Sequence, residues 1–209
     1  MMAVMDSART ATDTDLEFLR NRVAERVAAG ETYFADVAEK LARCAAAMAD
    51  RFFAGATLLV FGSGAGATDA QHNSVEYVHP VLPGCRALPA LSLNNDVSTV
   101  TGILGGAEPL DVYAHQLRVL GRSGDIALAF LTSANDGASL RGLSTAEEGE
   151  MLTVALSTGE RPPDVAAHAF HVENDDPLVA QELHLATYHM LWELTHIVLN
   201  HRGIAEVRA

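Results

Sequence analysis

The sequence predicts an α/β fold: a doubly wound, mainly parallel five-stranded sheet with helices on both faces, preceded by two N-terminal helices. Two observations carry the expectation. From Ala56 onward, short continuous apolar runs alternate with helical patterns. Apolar runs without polar alternation mark strands buried on both faces, and strands separated by helices make parallel crossovers. Before Ala56 the pattern is helical throughout.

Thr14 and Glu17 make a capping box, Leu16, Leu19, Val23 and Val27 continue a helical stripe, and Gly30 closes the first helix. A second helix runs from about Glu31 to Phe53, with Phe34, Val37, Leu41, Cys44, Ala45 and Met48 on one face. Strands are expected over Thr57–Phe61, Ala87–Leu93, Ile126–Leu131, Leu152–Ser157 and His168–Val172. The helices between and after them span about Ala67–Val78, Val97–Leu104, Leu110–Leu120, Leu140–Glu148 and Pro177–Asn200. Residues 1–55 thus form a helical extension and residues 56–209 the α/β domain, with no internal repeat or low-complexity linker.

Composition bounds the function. A chain of 209 residues that is 49% hydrophobic buries its own core without staples. With 14 basic against 27 acidic side chains the formal net charge is −13, which argues against nucleic acid or an anionic membrane surface as partner. Cys44 and Cys85 cannot build a disulfide framework, and neither lies in a CxxC. The start lacks the apolar core of a signal peptide, and no run approaches the roughly 18 apolar residues of a spanning helix. A cytoplasmic setting follows.

The first strand runs into Gly62-Ser63-Gly64-Ala65-Gly66-Ala67-Thr68 and then a helix. Such a loop lets backbone N–H groups approach an anion, although a tight strand-to-helix turn needs glycine for itself. It is neither a Walker loop nor a good dinucleotide fingerprint. A second loop, Thr132 to Ser139, follows the third strand. Hydroxyl-rich loops at neighbouring strand ends suit a polyol or phosphorylated polyol, and an Asx turn capping the next helix is the alternative. His72 and Glu76, and Gln181 and His189, are spaced to share helical faces. Imidazole, carboxylate and amide oxygen together can hold Zn²⁺ or another divalent ion; a plain surface ion pair is the competing reading of the His/Glu pair. His184 and Tyr188, on the adjoining face, are either supports of that site or core.

These residues resemble the sugar isomerase (SIS) domain, and within it the phosphoheptose isomerase family. The resemblance covers about residues 14–201 and rests on Asp69-Ala70-Gln71-His72 with Glu76, on Gln181-Glu182-Leu183-His184 through His189, and on Leu93-Asn94-Asn95-Asp96 to Thr101. It implies a zinc ion, or another divalent metal, held by His72, Glu76, Gln181 and His189, with Glu76 and His189 as the acid/base pair of an aldose–ketose isomerisation through a cis-enediol. Ser63, Gly64, Ala65, Gly66, Asn95, Asp96, Thr132, Ser133, Asp136 and Gln181 would bind the substrate, a small sugar or sugar phosphate. It also implies a homotetramer.

The chain departs from the family where a phosphate would sit. The family's glycine loop reads G-N-G-G-S-A-A, so its serine is here Gly66; its S-T-S-G-N-S loop is here Leu131 to Asp136, with a leucine and a carboxylate for two serines. A family arginine falls at or near Pro80, and the usual G-N-D is Leu104-Gly105-Gly106. The expectation is an isomerase with an altered phosphate site and a non-standard or unphosphorylated substrate. Restoring serine at positions 66 and 136 should then raise affinity for sugar phosphates. The alternative is a non-catalytic SIS protein that senses a ligand or binds a protein, in the manner of relatives that bind a replication initiator.

Overall fold

The computed structural model describes residues 12–132, 136–159 and 162–202. In chain order these form α1 (Asp13–Phe53), β1 (Leu58–Gly62), α2 (Ala65–Val78), β2 (Ala90–Ser92), α3 (Val97–Leu104), α4 (Val112–Leu120), β3 (Ile126–Leu131), α5 (Gly137–Glu148), β4 (Leu152–Thr158), β5 (His168–Val172) and α6 (Pro177–His201). A short 3₁₀ turn, Pro109–Asp111, leads into α4. Among the described residues, no helix is long and apolar enough to cross a membrane.

The five strands are all parallel, in the order β2-β1-β3-β4-β5. Every residue of β1 and β3 is buried, as their unbroken apolar sequences require. Alternate residues serve two cores. Leu59, Phe61, Ala127, Ala129 and Leu131 face Tyr113 and Leu117 of α4 and Leu143 and Ala146 of α5. On the opposite face, Phe130 meets Tyr188 of α6, and Tyr77 of α2 stacks on Phe52 of α1. Each of the leucines and phenylalanines among them contributes roughly 1.5–3 kcal/mol on burial. Because β1 is flanked by β2 on one side and β3 on the other, the chain turns in opposite directions from it. The crevice beyond the carboxyl ends of β1 and β3 is the switch point at which doubly wound sheets take ligands.

The N-terminal region corrects the sequence reading. One helix, α1, stands where two were expected, and Gly30 lies inside it. A single glycine costs about 1 kcal/mol against alanine, too little to end a helix with strong formers on both sides. Its capping box is Thr12 with Asp15 rather than Thr14 with Glu17: Thr12 N donates to Asp15 Oδ2 and Asp15 N to Thr12 Oγ1. The chain divides into two compact units, one ending at Asp36 and one beginning at Val37. In the first, Leu16, Phe18, Leu19, Val23 and Val27 are exposed; in the second, Val37, Leu41, Cys44, Met48 and Phe52 are buried. Cys44 and Cys85 are both free thiols.

Candidate metal centre at the switch point

The glycine loop fixes where α2 begins. Gly64 has φ +57° and ψ −121°, a backbone that side-chain-bearing residues rarely adopt, and it is the N-cap of α2. Gly66, in the first turn, lies hard against β3: a Cβ there would come within 2.9 Å of both Cβ and the carbonyl oxygen of Phe130. This closeness corrects one expectation. Serine at position 66 has no room, because the obstacle is backbone rather than a movable side-chain end.

Two turns further on, α2 presents His72 and Glu76, and α6 brings His189 to meet them. His72 Nε2 is 3.4 Å, and His189 Nε2 3.0 Å, from Glu76 Oε1. One ligand atom from each residue lies within 4.8 Å of the others. Glu76 is 7% exposed. Its Oε2 and His189 Nε2 are buried without a hydrogen-bond partner, so the 3.0 Å approach of His189 lacks hydrogen-bonding geometry. A buried polar atom left unsatisfied costs about 1–3 kcal/mol. A divalent cation would satisfy both atoms at once, and imidazole with carboxylate is a donor set that zinc accepts. Gln181, two turns before His189 on α6, donates Nε2 to Asp69 Oδ2 at 3.3 Å. With the amide nitrogen so engaged, the carbonyl oxygen is the atom left to ligate. Burial raises the Asp69 carboxyl above its ordinary range, while the Gln181 bond and the nearby His72 work against that rise.

Further bonds hold the two helices together here. Trp192 Nε1 donates to the carbonyl of Glu76 at 3.0 Å, and Tyr188 Oη lies 2.8 Å from His72 Nδ1. His184, the other residue with two readings, is core. Its Nε2 donates to the Ser157 carbonyl, and burial pulls its pKa down to about 4.

At the carboxyl ends of β1 and β3 the two loops are tied together by internal bonds. Asp136 is 7% exposed and N-caps α5. Its Oδ1 accepts from Ser63 Oγ at 3.1 Å and Ser139 N at 3.1 Å, and its Oδ2 from Ser139 Oγ at 2.8 Å. Thr132 Oγ1 reaches the Ser63 carbonyl at 3.4 Å. Gly64 and Ala65 are exposed. Asp96 N-caps α3, accepting from Ser98 N, Thr99 N and Thr99 Oγ1, bonds of which the Thr99 hydroxyl's does most to hold its carboxyl below the usual range. Asn95 is exposed, and Ser133 lies outside the described residues. Sequence reasoning missed Asn94 and Tyr113. Asn94 Nδ2 donates to the Gly62 carbonyl at 3.0 Å, and the Tyr113 hydroxyl donates to the same oxygen at 2.5 Å. A tyrosine within an amphipathic helix carries no sequence mark that its hydroxyl braces a loop. From Thr132 a cavity of about 610 Å³ opens past Thr158 toward the exposed carboxylates Glu173 and Asp175.

Residues 23–158 match the SIS domain family. The phosphoheptose isomerase of Desulfovibrio desulfuricans is 32% identical over 189 residues, 90% of each chain. That of Halorhodospira halophila is 34% identical over 163 residues, 76% of this chain and 82% of its own. Among solved structures, the phosphoheptose isomerase of Francisella tularensis superposes with TM-score 0.78 at 24% identity, over 87% of this chain and 98% of that one. The Neisseria gonorrhoeae phosphoheptose isomerase superposes with TM-score 0.75, also at 24% identity, over 86% and 97%. At that identity the two structures speak for the fold.

Proposed function

Since this chain belongs to the SIS-domain family of phosphoheptose isomerases, we propose that it is a metal-dependent aldose–ketose isomerase whose substrate carries no phosphate at the position the family uses. The observation that carries the metal reading is the cluster of His72, Glu76 and His189, with two of its ligating atoms buried and unpartnered. The enzyme reading over a non-catalytic SIS protein is supported by the phosphoheptose isomerases that resemble this chain over most of its length.

Aldose–ketose isomerisation moves one proton between adjacent carbons and one between their oxygens, through a cis-enediol. A divalent metal held by His72, Glu76, Gln181 and His189 would polarise the oxygen on which negative charge develops. Glu76 and His189 form the acid/base pair. Only the Glu76 oxygen and the His189 ring nitrogen that a metal leaves free can move a proton: the first takes one from carbon and returns it to the neighbouring carbon, and the second serves the oxygens. Asp69 orients the Gln181 amide, and Trp192 holds the Glu76 backbone on α2.

The far end of the substrate decides its class. A phosphate there would meet Asp136, whose carboxylate already takes the Ser63 hydroxyl, the Ser139 N–H and the Ser139 hydroxyl, the donors an anion would need. Glu173 and Asp175 add negative charge to the cavity wall. A neutral polyol end, or an amino group, is the complement. The exposed apolar side chains Leu16, Leu19, Val23 and Val27 support a homotetramer in which the N-terminal part of α1 packs between subunits, and two free thiols agree with a cytoplasmic setting.

The test is zinc content of the purified protein beside its His189→Ala variant, followed by incubation of the loaded protein with ketoses in D₂O. Near-stoichiometric zinc that is lost in the variant is expected, with deuterium entering the carbon beside the carbonyl of an unphosphorylated ketose. Full zinc loading without exchange on any phosphorylated or unphosphorylated ketose would overturn the isomerase reading.

A further inference from the structure

Both ring nitrogens of His72 have a polar neighbour. Nε2 faces Glu76 Oε1 at 3.4 Å, and Nδ1 meets the Tyr188 hydroxyl at 2.8 Å. Tyr188 itself is fully buried. Its ring stands edge-on to Phe130 of β3 at 5.6 Å, to His72 at 5.6 Å and to His189 at 4.9 Å. Packing on three sides therefore fixes where its oxygen points. The helices match turn for turn: Tyr188 and Trp192, four apart on α6, engage His72 and Glu76, four apart on α2.

We propose that Tyr188 is a positioning residue of the metal centre, its hydroxyl orienting His72 and serving both protonation patterns of that ring. The inference rests on the metal reading above. With no metal bound, a proton on Nε2, the side that faces the Glu76 carboxylate, leaves Nδ1 to receive the Tyr188 O–H. A ring nitrogen that binds a metal carries no proton. With Nε2 so engaged, the proton sits on Nδ1 and the tyrosine oxygen accepts it. A carbonyl or carboxylate could do only the second and a lysine only the first; a hydroxyl does both by rotating about its C–O bond. A neutral hydroxyl also raises the basicity of the imidazole less than a carboxylate would. The expected contribution thus lies at the low end of the 10–100-fold range of such supporting bonds.

The experiment titrates the full-length protein and its Tyr188→Phe variant with Zn²⁺ alone, against a competing chromophoric chelator. Phenylalanine keeps the three ring contacts and removes one oxygen. Zinc affinity should fall by about tenfold, and the visible absorption of the Co²⁺-loaded protein should change in position or intensity, a response that loss of packing alone would not give. A second measurement needs no variant. Ring ¹⁵N spectra of the wild type should find His72 protonated at Nε2 without zinc and at Nδ1 with it. Unchanged zinc affinity in a folded variant, or a His72 proton that stays on the same nitrogen in both states, overturns the role of Tyr188 and leaves the metal reading standing. A wild-type protein that takes up no zinc overturns the metal reading, and this inference with it.

Discussion

Replacing Asp136 by asparagine removes one negative charge from the crevice while keeping the shape of the side chain. Two opposing effects can be sized. At about 4 Å and an effective dielectric near 20, a carboxylate repels each phosphate charge by about 4 kcal/mol, and by about 2 kcal/mol at about 8 Å. At about 1.4 kcal/mol per decade, affinity for a sugar phosphate should rise between roughly 30-fold and 1000-fold. Against this, the bonds from Ser63 Oγ, Ser139 N and Ser139 Oγ lose their charge assistance. Charged bonds contribute about 1.5–3 kcal/mol and neutral ones about 0.5–1.5, so three bonds together should lose about 3–4.5 kcal/mol. Asp136 is buried, so solvent screening does little to soften that loss. Calorimetric titration of the zinc-loaded proteins with a ketose phosphate reads the first effect and urea unfolding the second. A folded Asp136→Asn protein with no gain in phosphate affinity would refute the idea that this carboxylate keeps phosphate out.

Gly66→Ser should cost about 1–3 kcal/mol as an overpacked site, with no gain in phosphate affinity, because its Cβ meets the Phe130 backbone at 2.9 Å; thermal unfolding and the same titration check it. His184 should make stability fall in acid. Burial lowers its pKa from 6.5 to about 4, with His171 across Ser157 as the nearest titrating neighbour, so the unfolded chain takes up the proton first. Its stabilisation is complete above about pH 6.5 and is lost as the pH falls toward about 4, by about 2 kcal/mol at pH 5. His184→Gln should flatten this part of the stability–pH curve. An unchanged slope in urea titrations between pH 7 and 5 would assign the acid loss to other groups.

Legibility in the sequence followed the range of the interactions concerned. Ile126–Leu131, His168–Val172 and Val97–Leu104 have the bounds the sequence predicts; continuous burial writes the first locally and the capping Asp96 the last, while the half-buried His168–Val172 is the sheet's edge strand. The second strand was expected over Ala87–Leu93 and pairs only over Ala90–Ser92. Pro89 has no N–H for the ladder, and Leu88 N is taken by the Tyr77 carbonyl. The join at Gly30 was misread because a glycine marks a helix end only when its neighbours also disfavour helix. In the site, the one-turn spacing of His72 and Glu76 was legible, but a spacing does not say which helix stands opposite. Donor chemistry put the Gln181/His189 pair forward as its complement, and family resemblance supplied the reason to join them. The Tyr188 hydroxyl bond depends on the register of α6 against α2, which no local pattern encodes.

The two ends of the crevice differ in a way that bears on substrate choice more directly than any single substitution. At the candidate metal centre, Glu76 Oε2 and His189 Nε2 are buried without a hydrogen-bond partner, a cost that a bound cation would remove. At the other end, Ser63, Ser139 and Asp136 satisfy one another. A ligand gains most where the protein has left polar atoms open, and gains least where it must first break bonds already made. An anion entering beside Asp136 would have to strip donors from a buried carboxylate and then sit next to it. A neutral hydroxyl can join that network as donor to Asp136 without displacing anything. If the proposed function holds, exchanging the Asp136 carboxylate for an amide should move the preference between neutral and phosphorylated sugars while leaving His72, Glu76 and His189 unchanged.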